Sequence, residues 1–143
     1  MKDIQKAKEI LANGGVTCVL CRGGEVVTSR KSGISPMLDF LADGIDLVDF
    51  SAADKIIGRA AAMLFVLAGV REVYGEVVSR AALPIFEKYG VAYSYGTLVE
   101  RIINRRGDGL CPMEAAVADI DDPKSGAEAL YAKRRALLSL AEK

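Results

Sequence analysis

Histidine and tryptophan are both absent from the 143 residues of this chain. Without histidine there is no histidine-ligated zinc site and no histidine-based acid–base or nucleophilic chemistry. The lack of tryptophan and an aromatic content of 6% disfavour a stacking surface for single-stranded nucleic acid. We therefore predict no metal site, assign no cofactor, and regard nucleic acid as a poor candidate partner.

Net charge, long apolar runs and paired cysteines are lacking as well. Acidic and basic residues balance at 19 each, so no strong field attracts nucleic acid or an anionic membrane. The longest apolar stretch, residues 60–70, is too short to span a bilayer, and the N-terminus lacks the apolar core of a signal peptide. Three cysteines, an odd number, do not form a disulfide framework. These features predict a cytoplasmic protein with reduced thiols and no membrane partner.

Apolar residues make up 51% of the chain, enough to build the core of a single domain over residues 1–143. Their spacing predicts an initial helix, a β-hairpin around Gly23-Gly24, and then helices alternating with strands. The predicted helices cover residues 4–11, 35–44, 51–67, 80–89, 98–104, 112–120 and about 125–141, and the predicted strands cover residues 16–21, 25–29, 47–50, 70–78 and 91–95. This alternation favours an α/β fold with a mixed central sheet in a three-layer α-β-α arrangement.

Two segments carry a family resemblance, Asp54-Lys55-Ile56-Ile57-Gly58-Arg59-Ala60-Ala61-Ala62 and Gly109-Leu110-Cys111-Pro112-Met113-Glu114. They resemble the uncharacterised DUF1893, or TM1506-like, proteins of bacteria and archaea. The order of elements is similar to the cytidine-deaminase-like fold, and the resemblance covers about residues 4–119. It implies a single deaminase-like domain with the helix at about residues 125–141 as a C-terminal addition.

The resemblance also implies where a zinc centre would lie. Deaminases of this fold place His or Cys and a Glu at the start of one helix, and two Cys at the start of the next. The predicted first helix start, Ser51-Ala52-Ala53-Asp54-Lys55, has no His, Cys or Glu. The second, Val77-Val78-Ser79-Arg80-Ala81-Ala82, has no Cys. The resemblance therefore implies the fold and argues against the zinc deaminase reaction.

The start of the predicted helix 51–67 is the first candidate site. Ser51 and Asp54 have the spacing of a capping box, which gives Asp54 a structural role. Lys55, with Arg59 one turn later, would put two cations beside the free N–H groups of the helix start. This arrangement favours a bound phosphate or carboxylate, and the alternative, in which Lys55 pairs with Asp54 or another surface acid, fits the pattern equally well.

The second predicted helix start, at Ser79 and Arg80, would face the same pocket in the implied fold. Ser79 fits an N-cap, and Arg80 would add a third cation. Glu76, near the end of the preceding strand, is the best general base available there, although an ordinary surface role is the better-supported interpretation. The basic segment 101–109 supplies cations to the pocket or is solvated, and we favour the solvated interpretation.

Cys111 is the third candidate. Pro112 suits the first position of a helix, which makes Cys111 the N-cap, and a thiol at a helix N-terminus can act as a nucleophile. Glu114 in the first turn opposes such activation, and without histidine no Cys–His pair forms, so a structural thiol is favoured. Cys18 and Cys21 match a strand pattern and are predicted to pack in the core.

These patterns lead to one preferred hypothesis, a zinc-less deaminase-like domain that binds a small anionic ligand such as a nucleotide or sugar phosphate. The residues assigned to the ligand site are Lys55, Arg59, Glu76, Ser79 and Arg80. Asp54 and Lys55 would carry out any acid–base catalysis without metal. The sequence does not decide whether the chain is an enzyme.

Two alternatives belong to other functional classes. The first is thiol chemistry at Cys111. The second is a non-enzymatic structural or regulatory subunit. For that subunit, the terminal helix leaves room for a homodimer interface formed by Leu130, Leu137, Leu138 and Leu140.

Overall fold

The computed structural model describes residues 1–141, which form five strands and six α-helices. In chain order these are α1 (Asp3–Ala12), β1 (Cys18–Arg22), β2 (Glu25–Ser29), α2 (Ser35–Ala42), β3 (Ser51–Ile57), α3 (Arg59–Ala68), β4 (Glu72–Ser79), α4 (Leu83–Tyr89), β5 (Ala92–Val99), α5 (Pro112–Val117) and α6 (Pro123–Ala141). A single 3₁₀ turn at Arg80–Ala82 joins β4 to α4. The predicted hairpin and the predicted α/β class are confirmed.

The five strands form one mixed sheet in the order β2-β1-β3-β4-β5. Strand β1 is antiparallel to both β2 and β3, whereas β3, β4 and β5 run parallel to one another. The hairpin closes with Arg22 opposite Glu25, and Gly23 takes a φ of +59° that glycine adopts without steric cost. The carboxyl ends of the three parallel strands therefore meet at one edge of the sheet.

Both faces of strand β1 are buried. Cys18 and Leu20 belong to the main core, which also contains buried residues of α2, α3 and α6. Val19 and Cys21 instead pack with residues of α1 in a second, smaller cluster. Because neighbouring strand residues point to opposite sides, one face of β1 packs against α2, α3 and α6 in the main core, and the other packs against α1.

The predicted helix over residues 51–67 is wrong, since its first part is strand β3 and the helix starts only at Arg59. Ala52 and Ala53 are good helix formers, yet they are fully buried between β1 and β4 in the middle of the sheet. Pairing and burial on both sides override their intrinsic preference. The capping box proposed for Ser51 and Asp54 is wrong for the same reason, because both lie inside a strand.

Two further elements differ from the predictions. Residues 47–50 form a turn rather than a strand, in which Asp49 has a φ of +63° and Leu47 and Phe50 anchor the turn in the core. The predicted helix at 98–104 is wrong because β5 continues to Val99. Beyond it, an isolated bridge pairs Ile103 with Leu110.

Helix α6 packs into the main core of the domain. Ala127 and Leu130 are buried there, and the Tyr131 hydroxyl donates a hydrogen bond of 2.6 Å to the carbonyl oxygen of Leu38 in α2. Leu138 and Leu140 are exposed. Across residues 1–141, no helix combines the length and the apolar character needed to cross a membrane.

Candidate functional site

A cavity of about 830 Å³ opens at the carboxyl end of β3, beside the start of α3. This is the position at which open α/β sheets bind ligands. Its lining residues are Thr17, Ser32, Gly33, Ile34, Asp54, Lys55, Ile56, Gly58, Ala60, Ala61, Ile102, Ile103, Asn104, Arg105, Arg106, Asp108, Cys111, Pro112, Met113, Glu114 and Leu137. Three residues singled out in the sequence, Asp54, Lys55 and Cys111, therefore share one cavity.

Asp54 is the buried acid of this cavity, with only 6% of its surface exposed. In the sheet it lies between Cys18 of β1 and Gly75 of β4, and Gly75 brings no side chain to the site. Burial disfavours the charged carboxylate and raises the pKa of Asp54 to about 7, although the nearby N–H groups of Lys55 and Ile56 lower it. Asp54 can therefore hold or release a proton near neutral pH.

Three cations line the same cavity: Lys55 from β3, and Arg105 and Arg106 from the segment that follows β5. All three are exposed, and within residues 1–141 none of them forms an ion pair. Asp108, an acid of that segment, also lines the cavity, and its carboxylate accepts a hydrogen bond of 3.0 Å from the Asn104 amide. The segment predicted to be solvated thus contributes two guanidinium groups to the cavity wall.

Glu114 of α5 occupies the N-terminus of α3. Its carboxylate accepts hydrogen bonds from the backbone N–H groups of Arg59 (2.8 Å) and Ala60 (2.7 Å), and only 7% of the residue is exposed. A Cβ atom on Gly58 would lie 2.2 Å from Glu114 Oε1, so a larger residue there would displace the Glu114 carboxylate. The helix has no side-chain cap from its own N-cap residue, and Glu114 supplies one from 55 residues away.

Arg59, the first residue of α3, in turn contacts backbone carbonyl oxygens at and just after the end of α5. Its guanidinium donates to the carbonyl oxygens of Val117 (3.0 Å), the last residue of α5, and of Ile120 just beyond it, and to the Asp121 carboxylate (2.8 Å). The side chain is only 14% exposed and does not line the cavity. The expectation that Arg59 stands one helical turn from Lys55 is wrong, because Lys55 lies in β3 and Arg59 begins α3.

The residues at the end of β4 do not line the cavity either. Arg80 is exposed and pairs with Glu100 at 2.7 Å, while Glu76 is half-buried. Ser79 is buried, and its hydroxyl has no hydrogen-bond partner among the described residues. The predicted convergence of Lys55, Arg59 and Arg80 on one anion is thus not the arrangement of this cavity.

The three thiols have different surroundings. Cys111 precedes α5 at its N-cap position and is half-buried in the cavity wall. Cys18 and Cys21 are buried, as predicted, and burial raises the pKa of both, with the Asp54 carboxylate adding to the effect at Cys18. Within residues 1–141, no three His, Cys, Asp or Glu side chains are grouped closely enough to hold a metal ion.

Comparison with known proteins gives one family and a related structure. The family model described as "Domain of unknown function (DUF1893)" matches residues 6–133, and so extends into α6 beyond the 4–119 covered by the sequence resemblance. The crystal structure of a DUF1893 family protein, TM1506 from Thermotoga maritima, is 24% identical with a TM-score of 0.83, covering 93% of this chain and 91% of that one. This likeness shows a common fold. None of the curated proteins matches the chain.

Proposed function

The chain belongs to the DUF1893 family, and from its cavity we propose that it binds a small phosphorylated molecule, such as a nucleotide or sugar phosphate. Lys55, Arg105 and Arg106 bind the anionic group of that molecule. Asp54 exchanges a proton with it or donates a hydrogen bond to it. The observation that carries this proposal is a set of three cations, none of which has an ion-pair partner among residues 1–141, around a cavity with a buried, protonatable carboxyl group.

The size and lining of the cavity support a small-molecule ligand. Its volume of about 830 Å³ falls in the range of cofactor and metabolite sites. Most of its wall is apolar, with Ile34, Ile102, Met113 and Leu137 among the lining residues. A ligand with a flat or apolar body and a phosphate group matches this combination of apolar wall and basic rim.

We extend the proposal to the architecture, a three-layer α-β-α domain of cytidine-deaminase-like type. Such deaminases bind zinc at the starts of the helices that follow two parallel strands. Here Gly58 and Arg59 follow β3, while Ser79 is the last residue of β4 and Arg80 follows it. None of these side chains is a zinc ligand, and the Glu114 carboxylate fills the space beside Gly58. The residues do not fit a zinc centre, so the proposed chemistry uses no metal.

Proton transfer is the reaction class that this site supports. Asp54, with a pKa of about 7, is matched to acid–base work near neutral pH. Lys55 follows it in β3 and is exposed at the cavity, where it binds the anionic part of the ligand. If the bound molecule is not transformed, the same residues serve as its recognition site.

Ligand binding is tested by calorimetry and thermal unfolding with CMP, AMP, ribose 5-phosphate and inorganic phosphate, each beside its uncharged counterpart where one exists. A ligand raises the unfolding temperature by mass action. We expect Lys55→Ala and the double variant Arg105→Ala/Arg106→Ala to weaken binding about tenfold or more, because each removes a charge-assisted contact. Arg71→Ala, an exposed cation at the other end of the parallel strands, should bind as wild type does.

Cys111 provides an independent measure of occupancy. It is half-buried in the cavity wall, whereas Cys18 and Cys21 are buried, so iodoacetamide should label Cys111 first. A bound ligand should slow that labelling. The proposal is wrong if no phosphorylated compound shifts the unfolding temperature, or if the cation variants bind as tightly as wild type.

A further inference from the structure

Helices α3 and α5 cap each other, and we name this pair of contacts the reciprocal cap. Glu114 of α5 accepts from the two free N–H groups of Arg59 and Ala60, at the start of α3. Arg59 in turn donates to the carbonyl oxygens of Val117 and Ile120, at and just beyond the end of α5. Glu114 thus satisfies two backbone N–H groups that have no partner within α3. Arg59 adds donors to two carbonyl oxygens, of which that of Val117 also accepts from the N–H of Ile120.

The reciprocal cap lies at one end of the arm, which we define as residues 100–111 between β5 and α5. The arm is stabilised mainly within itself, by the Ile103–Leu110 bridge and by Asn104, whose side-chain oxygen accepts from the N–H of Gly107 (2.9 Å). It has no helix or strand of its own. Its position over the cavity therefore depends on the two elements that it joins.

We propose that Glu114 and Arg59 are positioning residues, which hold the arm so that Arg105 and Arg106 reach the cavity. The part of this inference that concerns affinity rests on the proposed function. The part that concerns the arm stands on the geometry of the cap alone. In this view Glu114 binds no ligand itself, and it determines whether the cationic wall of the cavity is in place.

The contacts require a carboxylate at residue 114. Both Glu114 oxygens accept from N–H groups, Oε1 from Arg59 and Oε2 from Ala60. In Glu114→Gln one acceptor is replaced by an NH₂ group that faces a backbone N–H, so one hydrogen bond is lost while the shape is kept. Glu128→Gln is the matched control, because Glu128 is exposed on α6.

The arm is probed by native-state trypsin digestion, with cleavage after Arg105 and Arg106 followed by mass spectrometry. Losing a charge-assisted hydrogen bond in a buried cap should increase local opening, and hence cleavage, by about tenfold to a hundredfold. Cleavage elsewhere and the far-UV circular dichroism should stay as in wild type. A Glu114→Gln rate equal to those of wild type and Glu128→Gln would overturn the inference.

A double-mutant cycle separates positioning from general stabilisation. Binding of the tightest phosphorylated probe is measured for wild type, Arg105→Ala, Glu114→Gln and the double variant. If Glu114 positions the arm, Arg105→Ala should weaken binding about tenfold in wild type and less than about threefold in the Glu114→Gln background. Equal fold losses in both backgrounds would show that Glu114 contributes stability only.

The two proposals fail in different ways. If wild type binds none of the probes, the proposed function is wrong, and the trypsin rates alone decide the role of Glu114. If Glu114→Gln does not fold, Arg59→Lys takes its place. That variant keeps the Glu114 cap on α3 but loses the guanidinium that spans Val117 and Ile120. Wild-type cleavage rates in Arg59→Lys would then overturn the inference.

Discussion

The substitution Asp54→Asn should make the free energy of unfolding less sensitive to rising pH. Asp54 is almost fully buried beside Cys18, and its pKa is about 7, against an ordinary value of 3.8. Asparagine has nearly the same shape and never ionises. Its side-chain oxygen can still accept from the N–H groups of Lys55 and Ile56. The substitution therefore removes the cost of burying a charge and leaves the packing intact.

The size of the effect follows from proton linkage. Below about pH 4 the Asp54 carboxyl group is protonated in both the folded and the unfolded chain. Its contribution to the free energy of unfolding is then at its most favourable. Between about pH 4 and pH 7 the unfolded chain has released a proton that the folded chain keeps, so stability falls by about 1.4 kcal/mol per pH unit. The difference between about 7 and 3.8 corresponds to roughly 4 kcal/mol in total.

Urea denaturation of both proteins at several pH values provides the assay. The unfolding free energy of Asp54→Asn, relative to wild type, should rise by about 3 kcal/mol between about pH 5 and pH 8. Asp119→Asn, at an exposed carboxyl of the same type, is the control substitution. A difference between Asp54→Asn and wild type that stays constant over this range would refute the reasoning, because it would mean that Asp54 ionises normally in the folded chain.

Two other substitutions test the packing around the site and the last helix. Gly58→Ala should cost about 1 to 3 kcal/mol in urea denaturation, because its Cβ would lie 2.2 Å from Glu114 Oε1. Gly24→Ala, where nothing lies within 4 Å, is its control, and equal costs for the two would contradict the argument. Tyr131→Phe removes the hydroxyl that donates to the Leu38 carbonyl and should cost about 1 to 2 kcal/mol. An unchanged unfolding temperature would show that this hydrogen bond adds nothing.

The sequence predicts an element well where the pattern is local. Gly23-Gly24 between two β-rich runs predicts the hairpin, and Pro36 near the start of α2 predicts that helix. The residues of β3 do not follow this rule, because Ala52 and Ala53 favour a helix on their own. Their strand conformation comes from pairing with β1 and β4, which are distant in sequence. The isolated Gly58 was the one local sign of the boundary between β3 and α3.

The candidate site likewise contains residues that local sequence patterns identify and residues whose roles depend on contacts distant in sequence. Short motifs identify Asp54, Lys55 and Cys111 as candidates, and all three line the cavity. The roles of Glu114 and Arg59 depend on contacts across 54 to 61 residues, which no local pattern reveals. In the sequence, Glu114 is only an acid in the first turn of a predicted helix. A helix start without its own capping residue is the signal that could have prompted a search for a distant carboxylate.

The position of α6 in the core has a consequence for how the chain folds during synthesis. All five strands precede residue 100, so the whole sheet leaves the ribosome before the helix that covers part of it. Leu130 is fully buried in the main core, and Tyr131 ties α6 to α2. Until these residues emerge, the nascent chain exposes apolar surface that the finished domain buries. The fold is therefore completed only after α6 has been synthesised and has left the ribosome.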